Sequence, residues 1–354
     1  MHRLSPCFLL LFSFISLFSC TPTPPSPSQT LLYIYRFEPP ALIEFSENVQ
    51  AIREIPFSLP PHCNLFNIFS PPVGKYLAIE LSCPNGQTVL FFDTEIHAIT
   101  QPVQDSDSHF LAWTPDGRAA YLKIDSLGSP RVVRLFTEGR IEGLSVSEFT
   151  YDLAASSHFN EFTFTFSRGL GQGSELYLAE RDGRISNLLY ADTDNYLSFA
   201  RFSPDGMQIA FVKTPDTQTP FTVGELWVMD RAGSSARKLA DADAGHGYAV
   251  SWSPDGERLA FVVRENPEDE HADQSADALI GNIYIVQVES GALTQITFLE
   301  NGRVESPLWS PDGNTLAFNA VVDDRMTVHT VDLAAGAFRS LLTEPACCPA
   351  WVRK

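Results

Sequence analysis

The sequence repeats a five-residue motif in which an aromatic residue precedes Ser or Thr, then Pro, Asp and Gly. Complete copies begin at Trp113, Phe202, Trp252 and Trp309, and a related copy with a longer turn begins at Phe69. Neighbouring copies are 44 to 57 residues apart, and one interval of 89 residues accommodates two units. Repeats of this length that are built from short strands indicate a radial array of β-sheets.

Each residue of the motif suits a turn between two antiparallel strands. The residue before Pro is extended, Pro presets the turn, Asp hydrogen-bonds nearby backbone amides, and Gly adopts a positive φ. We expect the aromatic residue to pack between sheets and the apolar segment after the motif to form the returning strand. A role for the repeated Ser as a nucleophile is disfavoured, since no G-x-S-x-G elbow accompanies it. The residues assigned to these structural turns are Asp116, Gly117, Asp205, Gly206, Asp255, Gly256, Asp312 and Gly313.

A second hairpin follows the first within each unit. Residues 175–179, for example, turn at Asp182 and Gly183 into residues 185–189. Two successive hairpins give four antiparallel strands, which is one propeller blade. The repeat resembles that of the TolB-type β-propellers, and the resemblance covers about residues 31–354. It implies an all-β fold made of four-stranded antiparallel blades.

The two ends of the repeat region are predicted to close the ring together. Segments within residues 31–57 supply three strands, and residues 350–352 supply the fourth, innermost strand. A composite blade of this kind removes the open edges that a linear array would leave. It gives a single propeller of seven blades, whereas six blades result if the N-terminal strands lie outside the ring. We favour seven.

The N-terminal residues indicate export and anchoring. One Arg precedes a mostly apolar run over residues 8–18, as in a secretory signal, and the run is too short to span a bilayer. Residues 17–20 resemble the lipobox of bacterial lipoproteins, which implies that Cys20 is lipidated. We therefore expect a signal peptide over residues 1–19, a lipidated Cys20 with a Pro/Ser-rich tether over residues 20–30, and a propeller over residues 31–354. The alternative is that Cys20 is an ordinary cysteine beside a signal cleavage site.

Charge and location limit the partners. Lys and Arg total 24 against 43 Asp and Glu, and the net charge of −19 argues against nucleic acid as a partner. The predicted protein is extracytoplasmic, is held to a bacterial membrane by its N-terminal lipid, and meets another envelope protein or a glycan. Whether the membrane is the inner or the outer one is left open.

Four cysteines remain once Cys7 is removed with the signal peptide and Cys20 carries lipid. Hairpin pairing places Cys63 and Cys83 opposite each other, so we predict a disulfide between them. Cys347 and Cys348 fall at the closure strand. They either link to another part of the ring or pair with each other, and the sequence leaves this choice open.

Three Asp-x-Asp pairs precede inner strands, and a His follows two of them. Repetition around a ring would bring such residues to one mouth of the channel, where they could hold a divalent cation or a cationic ligand. The alternative is a solvated acidic rim, because Asp is common in turns. We expect no cofactor and treat a divalent cation as the alternative. The residues are Asp105, Asp107, His109, Asp192, Asp194, Asp241, Asp243 and His246.

These features favour a non-catalytic binding scaffold in the cell envelope. The repeat uses the whole of residues 31–354, so we expect no separate catalytic domain in this span. The alternative is a metal-dependent propeller enzyme, such as a polysaccharide lyase, with its site at the channel mouth. His109 and His246 would then have to converge there, together with Asp105 and Asp243.

Overall fold

The computed structural model describes residues 30–46, 48–100, 107–125, 130–243 and 249–353. Within these ranges the chain forms 28 β-strands and one short 3-10 helix, Ala276–Ala278, and no helix is long and apolar enough to cross a membrane. The strands are β1 (Thr30–Arg36), β2 (Ala41–Ser46), β3 (Ala51–Pro56), β4 (Asn64–Phe69), β5 (Tyr76–Cys83), β6 (Gly86–Asp93), β7 (Ala98–Thr100), β8 (Asp107–Trp113), β9 (Ala119–Asp125), β10 (Pro130–Phe136), β11 (Ile141–Gly143), β12 (Thr150–Ala155), β13 (Glu161–Phe166), β14 (Ser174–Glu180), β15 (Ile185–Asp192), β16 (Asn195–Phe202), β17 (Gln208–Pro215), β18 (Val223–Asp230), β19 (Arg237–Asp243), β20 (Ser251–Trp252), β21 (Arg258–Arg264), β22 (Gly281–Gln287), β23 (Leu293–Gln295), β24 (Arg303–Trp309), β25 (Thr315–Val322), β26 (Arg325–Asp332), β27 (Ala337–Ser340) and β28 (Ala346–Arg353).

Strands pair with their neighbours in chain order. Four-stranded antiparallel sheets are formed by β4–β7, β8–β11, β12–β15 and β16–β19. The antiparallel runs β20–β23 and β24–β27 belong to one eight-stranded sheet, in which a single parallel pair, Gly281 opposite Arg303, joins them. The predicted all-β fold of four-stranded antiparallel sheets is confirmed.

The remaining sheet combines both ends of the described chain in the order β28-β1-β2-β3. Leu32 of β1 lies opposite Trp351 of β28, and Leu31 lies opposite Val352. The predicted closure by N-terminal strands and a C-terminal strand is therefore confirmed. β28 is buried along almost its whole length, as is expected of a strand inside the ring.

Apolar side chains fill the spaces between successive sheets. Leu42 of β2 and Ile79 of β5 share one cluster, while Ile34 of β1 and Val328 of β26 share another. Similar clusters join each of the other neighbouring sheets, so the sheets pack face to face in a closed ring. Burial of each such side chain contributes about 1.5–3 kcal/mol, which makes these clusters the main stabilising contacts.

The repeated motif performs its turn role through side-chain hydrogen bonds. Thr114 Oγ1 donates to Asp116 Oδ1 at 2.7 Å, and the same carboxylate oxygen accepts the backbone N–H of Arg118. The carboxylates of Asp205, Asp255 and Asp312 repeat this pattern. Gly117 has φ +63°, and a Cβ there would lie 1.9 Å from the carbonyl oxygen of Val73.

Three motif tryptophans also form hydrogen bonds to the preceding inner strand. Trp113 Nε1 donates to the carbonyl oxygen of Phe69 at 3.0 Å. In the same way, Trp252 Nε1 and Trp309 Nε1 donate to carbonyl oxygens on the preceding inner strands. The predicted packing of the aromatic residue between sheets is thus accompanied by a hydrogen bond.

Buried Arg264 organises the connection of residues 265–280 between β21 and β22. Its side chain is 1% exposed and donates to the carbonyl oxygens of Asn266, Asp269 and Phe221. Its Nη1 also lies 2.7 Å from Asp273 Oδ1. Because Phe221 belongs to the loop before β18, Arg264 ties this connection to the neighbouring sheet.

Candidate binding site in the central channel

A cavity of about 670 Å³ occupies the centre of the ring. Most of its lining comes from the inner strands β4, β8, β12, β16, β24 and β28 and from Ala249 just before β20. Glu80 of β5, Lys123 of β9 and Asn319 of β25 add side chains from the second strands. Every sheet in the ring therefore contributes to one cavity.

An irregularity in the inner strands sets which side chains face this cavity. The pairing register shifts within β4, β8, β12, β16, β24 and β28, as in a β-bulge. A bulge leaves a residue outside the ladder and redirects its side chain. Seven residues at equivalent positions line the cavity. Each stands three before a motif aromatic residue or before its structural counterpart, which is Ala155 at the end of β12 and Trp351 in β28. They are Phe66, Phe110, Asp152, Phe199, Ala249, Ser306 and Cys348.

At three of these positions the backbone has a positive φ. The values are +54° at Phe199, +51° at Ser306 and +64° at Cys348. Non-glycine residues are uncommon in this region of φ, and such residues are concentrated at functional sites. Phe199, Ser306 and Cys348 therefore share a backbone conformation although their residue types differ.

Aromatic rings give the cavity an apolar wall. Phe69 and Phe110 stack with ring centroids 4.3 Å apart, and the side chain of Phe66 is 61% exposed. Beside them, Cys347 and Cys348 are joined by a disulfide, and the Cys348 N–H donates to Asn319 Oδ1. The wall therefore offers flat apolar surface to a ligand.

One ion pair crosses between two neighbouring inner strands. Arg201 Nη1 of β16 lies 3.0 Å from Asp152 Oδ1 of β12, and Asp152 Oδ2 accepts the N–H of Ala200. Next to it, the Tyr151 hydroxyl donates to the carbonyl oxygen of Leu197 at 2.6 Å. Burial raises the pKa of Tyr151 to about 12, so the hydroxyl remains protonated near neutral pH.

His109 lies between two carboxylates. Its Nδ1 lies 3.4 Å from Oε1 of the buried Glu80, and its Nε2 lies 3.4 Å from Asp107 Oδ2. The pKa of His109 is raised, and hydrogen bonding to Glu80 is the largest cause. Burial lowers the pKa, and the negative charge of Asp107 raises it further. The imidazole is therefore held close to carboxylates that favour its protonated form.

Lys123 is the third cation that lines the cavity. It is partly buried on β9, opposite His109 in the pairing register. Lys123 forms no hydrogen bond or ion pair with any residue that the structure describes. Burial lowers the pKa of Lys123, and the negative charges of Asp125 and Glu148 oppose this shift.

Three of the predicted site residues, Cys20, Asp105 and His246, lie outside the described residues. Of the others, His109 lines the cavity and Asp107 lies beside it at the start of β8. Asp107 Oδ1 accepts the N–H of Gln87 at 2.5 Å, which ties it to the neighbouring sheet.

The remaining acidic residues hold turns and ion pairs away from the cavity lining. Asp192 lies 2.8 Å from Lys213 Nζ, and its Oδ1 accepts the N–H of Asp194. Burial alone would raise the pKa of Asp192, but hydrogen bonding to Lys213 outweighs burial and the pKa is lowered. Asp241 pairs with Lys238.

We expected the Asp-x-Asp pairs to lie in connections between blades, and most of their described members lie elsewhere. Asp107, Asp192, Asp241 and Asp243 belong to strands rather than to connections, and Asp243 is buried. Over the described ranges, no three His, Cys, Asp or Glu side chains come together as a metal-binding group.

The structure also gives the arrangement of the cysteines. A disulfide joins Cys63, just before β4, to Cys83 at the end of β5, with Cα atoms 4.2 Å apart. Of the two arrangements that the sequence left open for Cys347 and Cys348, the structure contains the pair of adjacent residues.

Sequence reasoning missed most of the channel lining, including Glu80, Lys123 and Asp152. Their residue types differ from sheet to sheet, so no repeated chemistry marks them. The available signal was position, because a residue that lines the cavity stands three before each of the motif aromatic residues Phe69, Trp113, Phe202, Trp252 and Trp309.

Comparison with known proteins gives the same architecture. The TolB beta propeller domain model matches residues 162–347. An uncharacterized peptidase of Bacillus subtilis, YuxL, is 31% identical over 122 residues, which cover 33% of this chain and 16% of YuxL. This chain therefore matches only about a sixth of that relative's length.

Two solved structures share the fold at low identity. TolB from Acinetobacter baumannii has a TM-score of 0.53 and 17% identity, with 89% of this chain and 79% of that chain covered. An oligogalacturonate lyase in complex with manganese has a TM-score of 0.58 and 14% identity, with 89% and 85% covered. At these identities the likeness shows the β-propeller fold.

Proposed function

Because this chain belongs to the TolB beta propeller domain family, we propose that it is a non-catalytic scaffold that binds a ligand in its central channel. It is lipid-anchored through Cys20 and extracytoplasmic, and it presents the ring to another envelope protein or a glycan. The observation that carries the proposal is the central cavity, which residues from every sheet line.

The blade count of the proposed scaffold is seven. Five of the sheets have four strands and count as one blade each. The eight-stranded sheet counts as two blades, β20–β23 and β24–β27, when it is divided at its single parallel pair. The division is supported by the motif, since Trp252 and Trp309 each begin their own copy.

The size and lining of the channel support binding. Ligand cavities of proteins typically enclose about 300–1,000 Å³ and combine an apolar wall with a few convergent polar groups. This cavity has aromatic rings from Phe66, Phe110 and Phe199, and charged groups from Lys123 and Glu80. A bound molecule would find both kinds of contact within one space.

Site-specific photocrosslinking in cells tests where the partner binds. A photoreactive amino acid at Phe199 faces the channel, while one at Phe338 on β27 serves as a control that is 51% exposed on an outer strand. We expect a discrete crosslinked species from Phe199 and none from Phe338. Equal labelling from both positions would contradict a channel site.

Metabolic labelling with an alkyne fatty acid tests the anchor. We expect the full chain to incorporate the label and the Cys20→Ala variant to lose it. The matched control is Cys7→Ala, which changes a cysteine in the predicted signal peptide and should keep the label. If the Cys20→Ala variant keeps the label, as Cys7→Ala should, Cys20 is an ordinary cysteine.

The alternative function is a metal-dependent propeller enzyme, and the observation in its favour is the fold shared with an oligogalacturonate lyase in complex with manganese. Metal analysis of the purified full chain separates the two functions. Stoichiometric metal that is lost in Asp243→Ala or His246→Ala would support the enzyme. Absence of stoichiometric metal from the full chain would support the scaffold.

A further inference from the structure

We propose that the channel binds a ligand with one carboxylate and an apolar or aromatic body, and that Lys123 binds the carboxylate. This inference rests on the proposed binding function of the channel and adds the chemical class of its ligand. It depends on three observations: the pairing of the charges in the cavity, the carboxylates near Lys123, and the aromatic wall.

The first observation separates Lys123 from the other cations of the cavity. Arg201 is paired with Asp152, and His109 lies between Glu80 and Asp107. Lys123 has no such partner among the described residues. A partly buried ammonium without a partner has lost part of its hydration, so an incoming anion would gain more from binding it than from binding a surface lysine.

The second observation limits the charge of the ligand. Asp125 and Glu148 act electrostatically on Lys123, and buried Glu80 on β5 of the preceding sheet lies 3.4 Å from His109, the residue opposite Lys123 in the pairing register. These carboxylates would repel a dianion such as a phosphate monoester. A single ammonium also lacks the guanidinium fork that holds phosphate with two hydrogen bonds. One carboxylate therefore fits the site better than a phosphate group.

The third observation concerns the rest of the ligand. Phe66, Phe110 and Phe199 line the cavity together with the Cys347–Cys348 disulfide. Aromatic rings stack on flat apolar surfaces and gain energy beyond the area that they bury. A cavity of about 670 Å³ has room for a phenyl ring on an alkyl carboxylate or for the end of a peptide chain.

Isothermal titration calorimetry on the full chain tests the assignment with a matched pair of probes. 4-Phenylbutyrate carries the carboxylate, and 4-phenylbutanamide is its neutral counterpart. We expect the carboxylate to bind about tenfold more tightly, as is usual for a charged hydrogen bond over a neutral one. Lys123→Met should remove this preference, and Lys123→Arg should retain part of it.

Two further variants act as controls. Lys238→Met makes the same change of charge on an outer strand and should leave both affinities unchanged. Phe199→Ala should weaken both probes, which places them in the channel. Circular dichroism of each variant shows that it is folded before it is titrated.

A carboxylate in the channel could come from a small molecule or from the C-terminus of a peptide. Acetyl-Ala-Phe with a free C-terminus, compared with its C-terminal amide, distinguishes the sources. Preference for the free peptide over 4-phenylbutyrate supports the inference with a peptide end as the source, and the reverse order supports it with a small molecule.

Equal affinity of acid and amide, unchanged by Lys123→Met, would overturn the carboxylate assignment and leave channel binding intact. Binding that Phe199→Ala does not affect would also overturn it, because the probes would then lie elsewhere. Binding of neither probe overturns the assignment as well. Crosslinking from Phe199 then decides separately whether the channel is a binding site.

Discussion

Two equally buried tryptophans should respond differently to the same substitution. Trp113 and Trp351 are each 6% exposed. Trp113 Nε1 donates to the carbonyl oxygen of Phe69, whereas Trp351 Nε1 is buried and has no hydrogen-bond partner among the described residues. Replacement by Phe removes the indole N–H at both positions and a similar amount of ring.

The difference follows from hydrogen bonding. Trp113→Phe loses a hydrogen bond whose net contribution is about 1 kcal/mol, while Trp351→Phe relieves a buried, unpaired donor that costs about 1 kcal/mol or more. The loss of ring contacts is similar at the two positions and cancels in the comparison. We therefore expect the free energy of unfolding to fall by about 2 kcal/mol more in Trp113→Phe than in Trp351→Phe.

Urea unfolding of the purified full chain, followed by circular dichroism, measures this difference. Trp309→Phe provides a second test, since Trp309 Nε1 donates to the carbonyl oxygen of Ser251 at 3.0 Å and should behave like Trp113. Equal losses in Trp113→Phe and Trp351→Phe would refute the reasoning, because the two side chains would then have equivalent hydrogen bonding.

Three other predictions address the disulfide, a histidine and the connection after β21. The Cys63–Cys83 disulfide closes a separation of 20 residues, so replacing both cysteines by Ala should lower the free energy of unfolding by about 3 kcal/mol; no change in the urea midpoint would contradict this. Hydrogen bonding to Glu80 raises the pKa of His109 above its ordinary value of 6.5. The contact between protonated His109 and Glu80 therefore stabilises the folded protein fully below pH 6.5, and this stabilisation is lost as the pH rises through the pKa of His109 in the folded state. Urea unfolding across pH should show this loss, and Glu80→Gln should reduce it; an equal loss in the variant would contradict the assignment. Arg264→Met should destabilise the protein by about 3 kcal/mol or more and speed proteolysis within residues 265–280, whereas unchanged cleavage would exclude its anchoring role.

The fold was predictable because local and global requirements coincide at the motif. Pro, Asp and Gly suit one tight turn, and the aromatic residue before them suits the space between two sheets. The composite sheet could also be predicted, since the strands left over at the two ends of the repeat region had no other partners. Leu32 opposite Trp351 is the outcome of that requirement.

The candidate site was much less predictable. The Asp-x-Asp pairs were conspicuous in the sequence, yet Asp192 accepts backbone and lysine contacts that serve its own turn and strand. The channel lining depends on bulges, which change the direction of a side chain without leaving a consistent residue type. Phe199 and Cys348 occupy equivalent positions with unrelated side chains.

Lys123 illustrates a further limit of sequence reasoning. It lies in the returning strand after a motif, where the sequence predicts a mostly buried, apolar segment. Its importance comes from the absence of a partner among the described residues, and that depends on which charges the neighbouring sheets bring near it. No pattern within one repeat contains this information.

The most direct test of a binding site in the channel is a crystal structure of the full chain with bound 4-phenylbutyrate. The proposed site predicts the carboxylate within hydrogen-bond distance of Lys123 Nζ and the phenyl ring against Phe199, inside a ring closed by β1 and β28. Ligand density on an outer face, with the channel unoccupied at saturating concentration, would contradict it.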